Sequence, residues 1–401
     1  MIGIGDIESA ATRLVGVAVP TPTGRSRTLS ALAGRTVSLK PEHLQRTGSF
    51  KIRGAYNRIS TLAEQNAAAE VVAASAGNHA QGVALAASLS GLSATVFMPL
   101  DAAHPKVEAT RNYGAEVIQV GDSVDDCILA ARVHSAATGA VFVPPFDDPF
   151  VVAGQGTVGL ELASEAPGAE VIAVPVGGGG LIGGIGVAVA DRMPGVRVVG
   201  VEAAGAASMA AALRKGAPVT LDSLSTMADG IALRSVSELT LELAQAYVSE
   251  MVTVDEEEIS RAVLLLLERC KWVVEPAGAA ALAAVLAGKI PGSGEVAVVL
   301  SGGNVDPLLL TRLIEHGMSA SSRFVIMRVV LSDRPGALAG LTAALAELRL
   351  NVLSVDHHRR SAELDWDQTE VLLTLETRDP EHRAGVVPFL EERGYHATVT
   401  S

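Results

Sequence analysis

Aromatic side chains are scarce in this chain of 401 residues, at 3%: two Trp, four Tyr and seven Phe. A core of stacked rings is excluded, so Ala, Val, Leu and Ile must build it within a composition that is 49% hydrophobic and 19% charged. Cysteine is scarcer still. Cys127 and Cys270 are too few for a disulfide framework and lie in apolar-periodic stretches that suit core packing. No Cys/His cluster has zinc-ligand spacing, and His357 and His358 would face opposite sides of a strand. Basic residues are outnumbered, 31 Lys and Arg against 44 Asp and Glu, and the net charge of −13 argues against nucleic acid or an anionic membrane as partner. No apolar run is long enough to span a bilayer, and MIGIGDIESAATRL lacks the basic start and apolar stretch of a secretory signal. These absences predict a cytoplasmic protein of two or three domains whose partners are small molecules.

What is present is an α/β rhythm. VVAAS (71–75), ATVFMP (94–99), AEVIQV (115–120), EVIAVPV (170–176), VRVVGVE (196–202) and EVAVVLS (295–301) are separated by segments of helical length. Apolar runs without alternation suit strands buried on both faces, hence largely parallel sheets covered by helices. Ligands in such sheets bind beyond the carboxyl ends of strands. Three loops are predicted there: Ser75-Ala76-Gly77-Asn78-His79, Gly177-Gly178-Gly179-Gly180 and Ser301-Gly302-Gly303-Asn304. The acidic run Asp255–Glu258 precedes Ile259, Val263, Leu266 and Leu267, and reads as a helix N-terminus stabilised by negative charge.

A second rhythm follows a change in composition near His316–Arg323, where GMSASS reads as a linker. Residues 324–331 predict a strand, Asp333-Arg334-Pro335-Gly336 a turn and 337–348 a helix. Strands at 350–358 and 369–377, a helix near 381–393 and a last strand at 395–400 complete a ferredoxin-like βαββαβ module. The predicted domains are therefore 1–318 and 324–401, the first divided into two α/β subdomains.

One lysine stands in an odd place. Residues 51–62 carry Ile52, Ala55, Tyr56, Ile59 and Leu62 at helical spacing, so Lys51 falls in a first turn, where the helix macrodipole opposes a cation. A depressed pKa is expected, and such lysines form Schiff bases with carbonyl compounds. The Gly177–Gly180 loop is a nest of backbone N–H groups suited to phosphate. It also begins Gly178-x-Gly180-x-x-Gly183, which with Glu202 about twenty residues on meets the dinucleotide fingerprint. On that motif alone dinucleotide, other phosphate and plain turn all stay open.

Taken together, Arg46-Thr47-Gly48-Ser49-Phe50-Lys51-Ile52-Arg53-Gly54-Ala55 and the three loops resemble the threonine ammonia-lyase (threonine dehydratase) family of fold-type II pyridoxal phosphate (PLP) enzymes, over residues 1 to about 318. The tail resembles an ACT amino-acid-sensing domain. The resemblance implies that Lys51 holds PLP and later takes the substrate Cα proton, and that Phe50 packs near the cofactor ring. It assigns Asn78 to the cofactor's phenolic oxygen, Gly177, Gly178, Gly179 and Gly180 to its phosphate, and Ser301 to its pyridine nitrogen. Ser75, Gly77, Asn78 and His79 would receive the substrate carboxylate. A hydroxyl at Ser301 is too weak an acid to keep that nitrogen protonated, which suits β-elimination of threonine to 2-oxobutanoate and ammonia, and of serine to pyruvate.

Ala76 replaces a serine that similar racemases use as a proton donor, so lyase is expected over serine racemase. In those racemases a divalent-cation site would pair Glu202 with an acid six residues on; here that residue is Ser208. Glu202 then serves a cation, a monovalent one included, or satisfies buried backbone, the second being favoured. Glu275 lies near the cofactor or caps the helix that begins at Pro276. Asp333, Arg334, Pro335 and Gly336 would form the effector site where ACT modules pair in a homodimer or homotetramer, with isoleucine the natural candidate. Two readings from other classes remain: an NAD-dependent dehydrogenase, and a noncatalytic amino-acid-responsive regulator.

Overall fold

The computed structural model describes residues 2–320, 324–359 and 364–400 and divides into two compact units, Met1–Leu309 and Leu310–Ser401. The first unit contains ten strands: β1 (Gly24–Arg25), β2 (Val37–Lys40), β3 (Glu70–Ala74), β4 (Ser93–Met98), β5 (Glu116–Gln119), β6 (Val141–Phe142), β7 (Ala169–Pro175), β8 (Arg197–Ala203), β9 (Glu250–Val254) and β10 (Glu295–Val299). They form two sheets, ordered β1-β2-β10-β7-β8-β9 and β5-β4-β3-β6. Every pairing is parallel except β1 with β2. The six predicted strands are all present, shifted by a residue or two. The four not foreseen are short, and their two to five residues carry too little pattern to stand out.

Each sheet has its own core. Val158, Leu162, Ile172, Val174, Ile185, Val198 and Val299 pack around the larger sheet. Ile52, Ile59, Val71, Ala73, Val83 and Val96 pack around the smaller. With so few rings available, close packing of Ala and β-branched side chains supplies the burial. The helix Lys51–Glu64 lies in the second core, which fixes the lysine at the helix start.

The second unit has strands β11 (Phe324–Ser332), β12 (Asn351–His358), β13 (Gln368–Glu376) and β14 (His396–Val399), with helices Ala337–Glu347 and Pro380–Glu391. The sheet is antiparallel, ordered β12-β13-β11-β14, the ferredoxin-like arrangement. Alternating Val325, Met327, Val329 and Leu331 of β11, with Val371, Leu373 and Leu375 of β13, bury one face under Leu341, Leu345, Val386 and Leu390. The expected linker is partly helix: Pro307–Ala320 continues through Gly317, while 321–323 lie outside the described residues. An apolar-periodic stretch (Leu309, Leu310, Leu313) sustains the helix past the point where small residues alone read as a break. Among the described residues, no helix is long and apolar enough to cross a membrane.

Candidate active site

Lys51 is the first residue of its helix, and its amine donates to the Pro145 carbonyl at 3.2 Å while lying 5.0 Å from the Phe50 ring centroid. Its pKa is pushed down to about 8, chiefly by burial, with Glu275 pulling the other way. The expected depression is present, but enclosure of the charged end accounts for it, rather than the macrodipole invoked from position alone. Phe50, 8% exposed, belongs to the larger sheet's core and so joins the two cores beside the amine.

The Pro145 carbonyl also accepts from Gln155 Nε2 at 3.2 Å, and Gln155 Oε1 is buried without a partner. That amide stands at the glycine loop, since a Cβ added to Gly180 would lie 2.6 Å from Gln155 Oε1. Gly180 begins the helix Gly180–Arg192, and Gly179 before it has φ +87°. The first amides of a helix have no acceptor inside it, so Gly177–Gly180 form a side-chain-free cradle of N–H groups two residues beyond β7.

The other two loops meet at Asn78, the first residue of the helix Asn78–Ser90. Asn78 Nδ2 donates to Glu275 Oε1 at 2.7 Å, and Asn78 Oδ1 accepts from Asn304 Nδ2 at 2.7 Å. Asn304 Nδ2 also donates to the Thr47 carbonyl at 2.6 Å. Ser301 is 5% exposed just past β10; its carbonyl accepts from Phe50 N at 3.2 Å, and Gly303 N donates to Gly48 O at 2.9 Å. All four motifs therefore converge on one place. Glu275 is 4% exposed, and burial pushes its carboxyl up to about 7, assisted by Asp229 and opposed by the Asn78 hydrogen bond, Lys106 and Lys51. Its residue precedes the helix Pro276–Leu286, yet its side chain does not cap that helix and turns to Asn78 instead.

In the Ser75–His79 loop, Ser75 Oγ accepts from Gly77 N at 3.2 Å. His79 is 3% exposed, with Nε2 at 2.8 Å from the Val143 carbonyl and Nδ1 buried without a partner. Burial and the nearby Lys51 lower its pKa to about 3, against the Val143 bond, so the ring is neutral at ordinary pH.

Glu202 lies apart from this cluster. Its two oxygens accept from Met209 N at 2.7 Å and Ala210 N at 2.9 Å, at the start of the helix Ser208–Lys215. Burial pushes it up to about 7. A carboxylate already holding two amides serves the backbone, and it is not free for the ribose that the dinucleotide fingerprint requires. Among the described residues, no three His, Cys, Asp or Glu are grouped to hold a metal.

Asp333-Arg334-Pro335-Gly336 is a turn joining β11 to its helix: Asp333 N donates to Asp367 O at 2.7 Å, and Gly336 has φ +92°. Four partners escape a reading of the sequence: the Pro145 carbonyl, Gln155, Asn304 and the Lys106–Asp229 pair, whose 2.7 Å contact joins the two sheets' subdomains. Only Asn304 carries a signal, as the last residue of a strand-end loop.

A family model described as pyridoxal-phosphate dependent enzyme matches residues 16–302, and one for the ACT domain matches residues 325–385. The L-threonine ammonia-lyase of Thermotoga maritima is 47% identical over 400 residues, 100% of either chain. Among solved structures, a threonine deaminase from the organism abbreviated T.th. is 41% identical with TM-score 0.72, covering 76% of this chain and 99% of its own. Maize serine racemase is 34% identical with TM-score 0.74, covering 79% and 98%.

Proposed function

The chain belongs to the family of pyridoxal-phosphate dependent enzymes and carries a C-terminal ACT domain, and from that premise we propose that it is a threonine ammonia-lyase, converting L-threonine to 2-oxobutanoate and ammonia and L-serine to pyruvate. The observation that carries the reading is a single lysine of depressed pKa set among three strand-end loops. The residues fit the cofactor: an unfilled amide cradle for its phosphate, an amine for its aldehyde, and a buried hydroxyl and amide for its ring. When bound, pyridoxal phosphate supplies a carbonyl that condenses with amines and a conjugated ring that accepts the electron pair released at Cα.

The protein's residues do the rest. Lys51 Nζ would anchor the cofactor and, once released, accept the Cα proton; with a pKa near 8 a useful fraction is free base at neutral pH. Gly177, Gly178, Gly179 and Gly180 would hold the phosphate, Ser301 the ring nitrogen and Asn78 the ring oxygen, with Phe50 beside the ring. Amides of Ser75, Gly77, Asn78 and His79 would receive the substrate carboxylate; Gly77's must first leave Ser75 Oγ. Similarity to a serine racemase favours a second reading of racemase with dehydratase activity. Ala76 weighs against it, having no proton to give to the opposite face.

The same reading makes the protein a cytoplasmic homodimer or homotetramer whose ACT domain takes an amino-acid effector near Asp333–Gly336. Light scattering and threonine kinetics with and without isoleucine test those parts. The central test is keto-acid release from L-threonine, L-serine and their D-isomers by PLP-loaded protein. Release from threonine with a visible cofactor band that vanishes in Lys51→Ala is expected, and a native protein without that band would overturn the reading.

A further inference from the structure

Asn304 and Glu275 bracket Asn78 in a hydrogen-bond relay whose direction is set by chemistry. Asn304 Nδ2 has two hydrogens, and both are placed: one on the Thr47 carbonyl at 2.6 Å and one on Asn78 Oδ1 at 2.7 Å. Asn78 Nδ2 places one of its hydrogens on Glu275 Oε1 at 2.7 Å and keeps the other. Turning the Asn78 amide over would set N–H against N–H at Asn304 and oxygen against oxygen at Glu275. Two hydrogen bonds would be lost in a buried place, so the amide has one orientation.

The framework around the relay is rigid. Thr47, β-branched, is held at φ +60°, a conformation such residues adopt only when surrounding structure demands it. A Cβ on Gly48 would collide with the Asn304 amide, and Ser49 bridges Gly302. Asn304 thus ties the segment leading into Lys51 to the start of the Asn78 helix, and Glu275 closes the far end from a third element.

We infer that Asn304 and Glu275 are positioning residues that fix the orientation of the Asn78 amide, so that its remaining N–H is offered to the cofactor's ring oxygen and its carbonyl is turned away. This rests on the PLP lyase reading proposed above. A tie that only held loops together would work equally well in either direction, whereas a positioning relay works in one.

That difference gives the experiment. Asn304→Asp removes both donors and sets a carboxylate against Asn78 Oδ1. Adding Glu275→Gln lets the relay run backwards, Asn78 donating to Asp at 304 and accepting from Gln at 275. Thermal melting of the PLP-free proteins, PLP titration and the visible spectrum of the bound cofactor are measured for native, single and double variants. Expected is recovery of the melting temperature in the double variant relative to Asn304→Asp, with PLP affinity remaining on the order of tenfold or more below native and the band displaced. A double variant with native affinity and spectrum overturns the inference. Should the double variant not fold, Asn304→Ala decides: the amide is then free to turn, and native affinity with an unchanged band overturns the relay. Affinity and spectrum are the readouts, so a native protein that binds PLP yet releases no keto acid from threonine overturns the lyase assignment alone.

Discussion

Replacing Arg53 by methionine removes the centre of a buried charge network two residues past Lys51. Arg53 is 1% exposed and spends all five of its hydrogens: Nε and Nη2 on the two oxygens of Glu42, each at 2.8 Å, Nη1 on Thr157 at 3.1 Å and Glu161 at 2.6 Å, and Nη2 again on Glu161 at 2.9 Å. Lys40, fully buried, adds contacts to Glu161 at 2.6 Å and Glu165 at 2.8 Å. Two cations thus face three carboxylates, and methionine leaves one against three. Glu42, with no exposure, would keep only the Thr21 hydroxyl at 2.5 Å. Breaking a buried pair from one side costs about 3–5 kcal/mol, a large part of the ~5–15 kcal/mol that holds a domain together. At about 2–4 °C per kcal/mol for domains of one to two hundred residues and more, the PLP-free protein should melt on the order of 10 °C lower. Circular dichroism melts measure it, and adding Glu42→Gln should return at least about 1 kcal/mol, because the stranded carboxylate is then gone. A variant melting within a degree or two of native would refute the reasoning, showing that the network adds orientation without stability.

Lys51→Ala should alter pH dependence as well as chemistry. A folded-state pKa lowered from 10.5 to about 8 means the unfolded chain holds the proton between those values, so native stability rises across that window, by about 3 kcal/mol. The alanine variant should lack the rise in urea titrations of PLP-free protein; an unchanged rise would place the shift on another group. Glu202→Gln should flatten a fall of opposite sign: a carboxyl raised from 4.5 to about 7 by burial keeps its proton in the folded state, and stability is lost as pH climbs through 7. His43 and His79, both lowered by burial, add stability as pH rises toward 6.5, so the test is the difference between variant and native curves. Lys106→Ala breaks a part-exposed pair and should change stability by less than about 1 kcal/mol, while raising KM for threonine because the two subdomains lose a direct tie across the cluster. Unchanged KM would make that pair incidental.

The parts of the fold and site that can be read from the chain are those whose causes are local. The Asp255–Glu258 run forms a reciprocal cap, Asp255 Oδ1 accepting from Glu258 N and Glu258 Oε2 from Asp255 N, each at 2.9 Å, because both partners lie within one turn. The three loops lie directly past β3, β7 and β10, because parallel strands announce themselves as apolar runs and their ends follow. What stays hidden depends on distance in sequence. Arg53 reads as one more polar residue on an amphipathic helix, and nothing near it tells that Glu42 and Glu161 will close on it from two other elements. The lowered pKa of Lys51 is expected on position, yet its cause is enclosure by Phe50, the Pro145 segment and their surroundings, which the chain assembles only on folding. Glu275 shows why the two kinds of information differ. Its place before Pro276 is a helix-start signal and correctly marks the helix, but its side chain crosses 197 residues of sequence to reach Asn78. Local rules constrain the backbone at such a position and leave the side chain uncommitted, and that free side chain is what a site can recruit.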